Sequence, residues 1–118
     1  MFAAKLFPLD QKVRIISQQD SDMLGMTDQV LLEVIRFRQD AIWRRSKNKL
    51  NRYWDSFASD QGADPFGPHS RVEIHVWKSL VGRWRMVVHW NPDDAAWAGM
   101  HLQLDFFLEW PLTCDAVF

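Results

Sequence analysis

The sequence predicts an α+β domain in which a mainly antiparallel sheet of three to five strands has two helices packed on one face. Three observations lead to this prediction: alternating polar and apolar residues late in the chain, helical spacing of apolar residues before them, and a loop rich in Gly and Pro between. At 118 residues we expect one domain spanning 1–118, with a helical half at about 27–60 and a sheet half at about 71–110.

Alternation is clearest in three segments, Arg71–Lys78, Arg83–Trp90 and His101–Trp110. Because successive side chains of a strand point to opposite faces, each segment supplies one apolar and one polar face. The polar face is predicted to hold Arg71, Glu73, His75, Arg83, Arg85, His89, His101, Gln103, Asp105 and Glu109, together with the apolar Trp77, Val87 and Phe107.

A three-residue loop over 80–82 predicts how the first two segments pair. Gly82 occupies the position of such a loop that requires a left-handed backbone. A two-residue loop would shift the pairing of the two strands by one residue and would place polar residues of one strand on the same face as apolar residues of the other. The three-residue loop is therefore preferred. The resulting cross-strand pairs are Val76–Met86, His75–Val87, Glu73–His89 and Trp77–Arg85, and Arg85 then opposes Phe107 or, after a two-residue shift, Asp105.

The helical half contains two sets of apolar residues. The helical pattern begins at Asp28, the first apolar set runs from Val30 to Ile42, and the second runs from Trp43 to Phe57. The two sets are out of phase by roughly a third of a turn, and one straight helix would be on the order of 48 Å long. We therefore expect two helices that are separated near Arg45–Asn48.

The two ends of the chain have weaker patterns. Residues 2–7 and 12–17 predict either a strand pair or one strand after a coil arm. The tail after Pro111 is short and has no diagnostic pattern. The upper limit of five strands depends on the N-terminal residues.

Composition narrows the function classes. The net charge of −1 provides no general attraction for nucleic acid or an acidic membrane. Seven Trp and eight Phe indicate a well-filled core or a self-association surface. The lone Cys114 excludes an intramolecular disulfide, and no apolar run approaches the ~20 residues of a membrane span. Because the N-terminus also lacks a signal-peptide pattern, we expect a cytoplasmic protein.

The histidines and carboxylates of the polar face permit a small enzyme or ligand-binding site. His75 and His89, with Glu73 or Asp105, have the residue types of an acid–base or two-histidine, one-carboxylate metal site. However, no catalytic motif accompanies them, and cross-strand pairing of opposite charges accounts for the same residues. The sequence thus indicates no cofactor and no metal, and an enzyme is the less favoured interpretation.

Aromatic and aliphatic residues within the polar face favour an interaction surface. Trp77, Val87 and Phe107 with Arg85 have the composition of an interface anchor. Cover by the N-terminal segment or by the loop over 91–99 is the alternative. We expect a non-enzymatic interaction protein that presents this outer sheet face to a protein partner or to its own copy.

A basic run occupies the middle of the chain. Between Arg36 and Arg52 there are seven cations and one acid, Asp40. Arg45 and Lys49, together with Arg52, form the polar side of the second predicted helix, and nearby aromatics could stack on single-stranded nucleic acid. Because those aromatics repeat in the core-facing phase, a solvated helix face or a surface for an acidic partner is favoured over nucleic acid.

Overall fold

A computed structural model describes residues 2–17, 26–58, 71–76, 82–89 and 101–117. Trp77 and the loop over 91–99 lie outside the described residues. The described part contains eight elements: β1 (Phe2–Ala4), β2 (Val13–Ser17), α1 (Met26–Phe37), α2 (Gln39–Ala58), β3 (Arg71–Val76), β4 (Arg83–His89), β5 (His101–Phe107) and β6 (Trp110–Val117).

The strands form one sheet in the order β1-β2-β3-β4-β5-β6. Of the described strands, only β2 and β3 pair in parallel, and the two helices lie between them in the sequence. The predicted α+β class and mainly antiparallel sheet are confirmed. The predicted limit of five strands is wrong, because the chain turns at Leu108 and Glu109 and returns as β6.

The helices meet at Arg38, not at Arg45–Asn48 as predicted. The buried side of α2 continues through the predicted break because Ile42, Ser46 and Leu50 follow at spacings of four residues and are all fully buried. Ser46 is tolerated there because its hydroxyl donates to the Ile42 carbonyl at 2.7 Å. Neither described helix is long and apolar enough to cross a membrane.

One cluster of buried side chains contains residues of the sheet, both helices and the segment between β1 and β2. The contributions of β3, β4 and β5 come from every second residue, as alternation predicts. Leu108 and Trp110, assigned to the apolar face from the sequence, are instead 38% and 53% exposed. The helix members are Leu31, Leu32, Ile35, Ile42, Trp43 and Leu50.

The register between β3 and β4 differs from the prediction by two residues. Val76 lies opposite Trp84 rather than Met86, and His75 lies opposite Arg85. A shift of two residues preserves the faces of both strands, so the predicted apolar and polar sides survive. Between β4 and β5, Arg85 lies opposite Asp105, as in the second predicted alternative.

Candidate functional site

Glu73, in the middle of β3, is the centre of an ionic cluster on the outer face. Its carboxylate lies 3.1 Å from a guanidinium nitrogen of Arg14 and 3.1 Å from Nε2 of His89. Nε2 of His75 is 3.6 Å from the same carboxylate oxygen that contacts His89. Arg14 reaches Glu73 because the parallel pairing of β2 with β3 places the two residues opposite each other. The cluster therefore connects three neighbouring strands.

Burial and neighbouring charges shift the pKa values of the side chains in and beside this cluster. Burial opposes ionisation of Glu73, but the hydrogen bond and the charge of His89, with contributions from His75 and Arg14, outweigh it and lower the pKa below 4.5. Burial lowers the pKa of His75 below 6.5, although Glu73 opposes this shift. Burial and repulsion by His89 lower the pKa of His101 as well. The folded domain thus favours ionised Glu73 with neutral His75 and His101.

Acidification is expected to destabilise the domain in two stages. His75 and His101 bind protons less readily when folded, so stability falls as the pH drops below 6.5 until their folded-state pKa values are reached. The contribution of Glu73 is present above pH 4.5 and is lost as the pH falls through its lower folded-state pKa. Urea unfolding at a series of pH values measures both stages.

Two variants separate these stages. The double variant H75Q/H101Q is expected to flatten the upper stage, because neither glutamine titrates. Glu73→Gln is expected to reduce the lower stage. The same pH slope in the wild type and in H75Q/H101Q would contradict the assignment of the upper stage to these histidines.

A second network on the outer face joins Arg85, Asp105 and Thr113. Nε of Arg85 donates to Asp105 at 2.8 Å, and the hydroxyl of Thr113 donates to the other oxygen of Asp105 at 3.1 Å. Asp105, a candidate partner of the histidines from the sequence, is therefore engaged with β4 and β6. Val87 is only 4% exposed and contributes little surface. Gln103 contacts Nε2 of His101 at 3.0 Å.

The geometry of the outer face gives limited support to a catalytic or metal-binding site. His89 and Glu73 resemble a base and its orienting carboxylate, which is one part of an acid–base site. In the part of the chain that the structure describes, no three His, Cys, Asp or Glu side chains are grouped to hold a metal ion. Burial raises the pKa of Cys114 to about 11, so this thiol stays protonated at neutral pH and is a poor nucleophile.

Exposed apolar side chains gather where β5 turns into β6. We call them the hairpin patch, and two of them, Phe107 and Trp110, lie directly opposite each other across the turn. The sequence predicts only Phe107 as part of an interaction surface, since alternation assigns Leu108 and Trp110 to the apolar face and Leu112 lies in the tail without a diagnostic pattern. The hairpin patch consists of Phe107 (45% exposed), Leu108 (38%), Trp110 (53%) and Leu112 (42%).

The backbone beneath the hairpin patch is held from two sides. Nε1 of Trp84 donates to the Leu108 carbonyl at 2.7 Å, and the Leu108 amide donates to the Gly82 carbonyl at 2.8 Å. Leu108 has a φ of 53°, a left-handed conformation that is unusual for a leucine. The contacts with Trp84 and Gly82 keep the turn in this conformation and so fix the position of the exposed side chains.

No protein-family model, curated protein or solved structure matches this chain significantly. Domains of the α+β class have many unrelated functions, so the fold by itself supports none of them. Function must therefore be inferred from the exposed side chains and from what surrounds them.

Two arginines connect the helices to the hairpin. Arg38, between α1 and α2, donates to the carboxylate of Glu109, and Arg45 donates to the Glu109 carbonyl at 3.2 Å. The guanidinium of Arg45 also lies 3.8 Å from the centre of the Trp110 ring, a cation–π contact. The hydrogen bond from Arg38 lowers the pKa of Glu109. Arg45, predicted to belong to a basic surface, thus positions Trp110.

The remaining predicted basic residues do not form a stacking site. Lys49 and Arg52 line a shallow cleft that also contains Asp115. Trp43 is 7% exposed, and the hydroxyl of Tyr53 accepts a hydrogen bond from the Ala116 amide at 3.1 Å. Trp43 is thus too buried to stack on a nucleobase, and the Tyr53 hydroxyl is engaged with β6.

Proposed function

We propose that this domain is a non-enzymatic interaction protein that binds a protein partner or a second copy of itself through the outer sheet face. The contact centres on Phe107 and the rest of the hairpin patch, with Arg85 at its border. In this proposal α1 and α2 cover the apolar face of the sheet, and Trp110 keeps 53% of its surface accessible beside Arg45 of α2. A cytoplasmic location would suit the unpaired Cys114.

The exposure of the hairpin patch is the observation that supports this proposal most directly. Aromatic side chains are enriched in the buried centres of protein interfaces, where they supply much of the binding energy. Phe107 and Trp110 are about half exposed on a backbone that is already fixed by hydrogen bonds. A preorganised surface loses little conformational entropy on binding, which favours affinity.

Contact through side chains is favoured over addition of a strand to the sheet. At one edge, the Ala116 amide of β6 already donates to the hydroxyl of Tyr53 on α2. At the other edge, β1 has only three residues. Short or covered edge strands are the usual protection against pairing with another chain. We therefore place the binding surface on the face of the sheet.

Replacing the two central rings tests the proposal. Phe107→Ser and Trp110→Ser are expected to weaken self-association or partner binding by about 30-fold or more, as for a hot-spot residue worth about 2 kcal/mol. Val30→Ser is the matched control, because Val30 is an apolar side chain on α1 that is 60% exposed. Sedimentation velocity over a concentration series measures self-association, and affinity capture with quantitative comparison of the three variants measures partner binding.

The outcomes separate the two kinds of partner. Concentration-dependent dimers that disappear in F107S but remain in V30S would support association with a second copy. A monomer whose captured protein is lost only with F107S and W110S would support a different partner. Equal behaviour of the wild type and all three variants in both measurements would overturn the proposal.

A further inference from the structure

A groove lies between α2 and the loop that joins β1 to β2. Its volume is about 780 Å³, within the range of ~300–1,000 Å³ that is usual for small-molecule sites. Phe7 and Pro8 supply one wall, and the first four turns of α2 supply the other. None of the residues lining this groove belongs to the hairpin patch or to the Glu73 cluster.

The floor of the groove is rigid and apolar. Phe7 and Trp43 stack with their ring centres 5.3 Å apart and an interplanar angle of 22°. Phe7 has a φ of 62°, and its amide donates to the side-chain carbonyl of Gln39 at 2.9 Å. A left-handed phenylalanine costs on the order of 1–2 kcal/mol, and such strain concentrates at functional sites. The strained loop residue is thus held against α2 at the groove.

The wall formed by α2 is basic. Arg44 and Lys47, with Asn48 and Asn51, recur at spacings of three and four residues and so lie along one side of the helix. Among the described residues, no carboxylate lies within 4.0 Å of the charged group of Arg44 or Lys47. Asp40 also lines the groove and offsets one of the two positive charges.

We propose that this groove binds a small organic anion, a carboxylate or a phosphate ester with an apolar body. Arg44 and Lys47 would bind the charged group, and the amides of Asn48 and Asn51 can donate to its oxygens. The apolar body would contact Pro8 and the small accessible part of Phe7 and Trp43, which are 6% and 7% exposed. The inference is independent of the interaction surface at the hairpin patch.

Calorimetric titration with 1-naphthyl phosphate tests this proposal, with 1-naphthol and inorganic phosphate as the uncharged and apolar-free comparisons. The variant R44Q/K47Q is expected to weaken binding of 1-naphthyl phosphate at least about tenfold, since two charge-assisted contacts are removed. The matched control is K49Q/R52Q, which removes the same charge from α2 outside the groove. This control is expected to bind as the wild type does.

Each other outcome overturns the proposal. Equal weakening by the two double variants would mean that the net charge of α2, rather than the groove, attracts the anion. If 1-naphthol binds as tightly as 1-naphthyl phosphate, Arg44 and Lys47 do not contribute to binding. If inorganic phosphate binds as tightly, the apolar floor does not contribute. An absence of binding to wild-type protein at millimolar concentrations of 1-naphthyl phosphate would contradict the site itself.

Discussion

Trp84→Ala is expected to lower the free energy of unfolding by about 3–5 kcal/mol, the usual cost of removing a large buried aromatic side chain. Trp84 is 1% exposed, and its ring stacks on Phe106 at a centroid distance of 4.2 Å. The substitution removes this stack and leaves a cavity beneath the β5–β6 turn. It also removes the hydrogen bond to the Leu108 carbonyl, which is 2.7 Å long.

A second variant separates the hydrogen bond from the packing. Trp84→Phe retains most of the buried ring but has no N–H donor, so a loss of about 1 kcal/mol is expected. Urea unfolding followed by circular dichroism measures both variants. If Trp84→Ala does not fold, Trp84→Phe still tests the hydrogen bond. A stability within 1 kcal/mol of the wild type for Trp84→Ala would contradict the role of this residue.

The faces of the central strands were predictable because alternation is a local property of the chain. Every second residue of β3 is buried, and Ile74 lies at the centre of the core with no exposed surface. The outer cluster followed from the same rule, which placed Glu73, His75 and His89 together on the polar face. Local pattern therefore predicted which of these side chains share the outer face.

Contacts between distant segments were not predictable from local pattern. Arg14 pairs with Glu73 across 59 positions of sequence, through a parallel strand pair that has no turn to indicate its register. Likewise, Glu109 accepts hydrogen bonds from Arg38 and Arg45, two residues that the sequence assigned to a solvated basic surface. Such contacts depend on where the two helices lie relative to the sheet, which the local pattern of residues does not specify.

The hairpin patch was missed for a different reason. Apart from the apolar Phe107, alternation continues from His101 to Trp110, and Leu108 is a residue that seldom forms a turn. The structure forces a turn there because Trp84 and Gly82 bind the Leu108 backbone. Leu108 and Trp110 were consequently assigned to the apolar face, although they are 38% and 53% exposed.

Gly82→Ala is expected to destabilise the domain by about 1–2 kcal/mol through backbone strain alone, because Gly82 has a φ of 77°. An added Cβ would also lie 3.0 Å from a ring carbon of Phe107 and 3.3 Å from a methyl carbon of Leu108. Both neighbours belong to the hairpin patch. The substitution should therefore disturb the proposed binding surface as well as the fold, and urea unfolding with sedimentation velocity measures the two effects.

Gly82→Asn distinguishes these effects, because Asn tolerates a left-handed backbone better than Ala but carries the same Cβ. We expect it to recover part of the lost stability while still displacing the Phe107 ring. If Gly82→Asn is stable but associates as weakly as Phe107→Ser, the position of the ring, and not merely its presence, determines binding. Wild-type stability in Gly82→Ala would show that the loop relaxes around the methyl group, and the preorganised turn would then be the wrong explanation for the exposed aromatic pair.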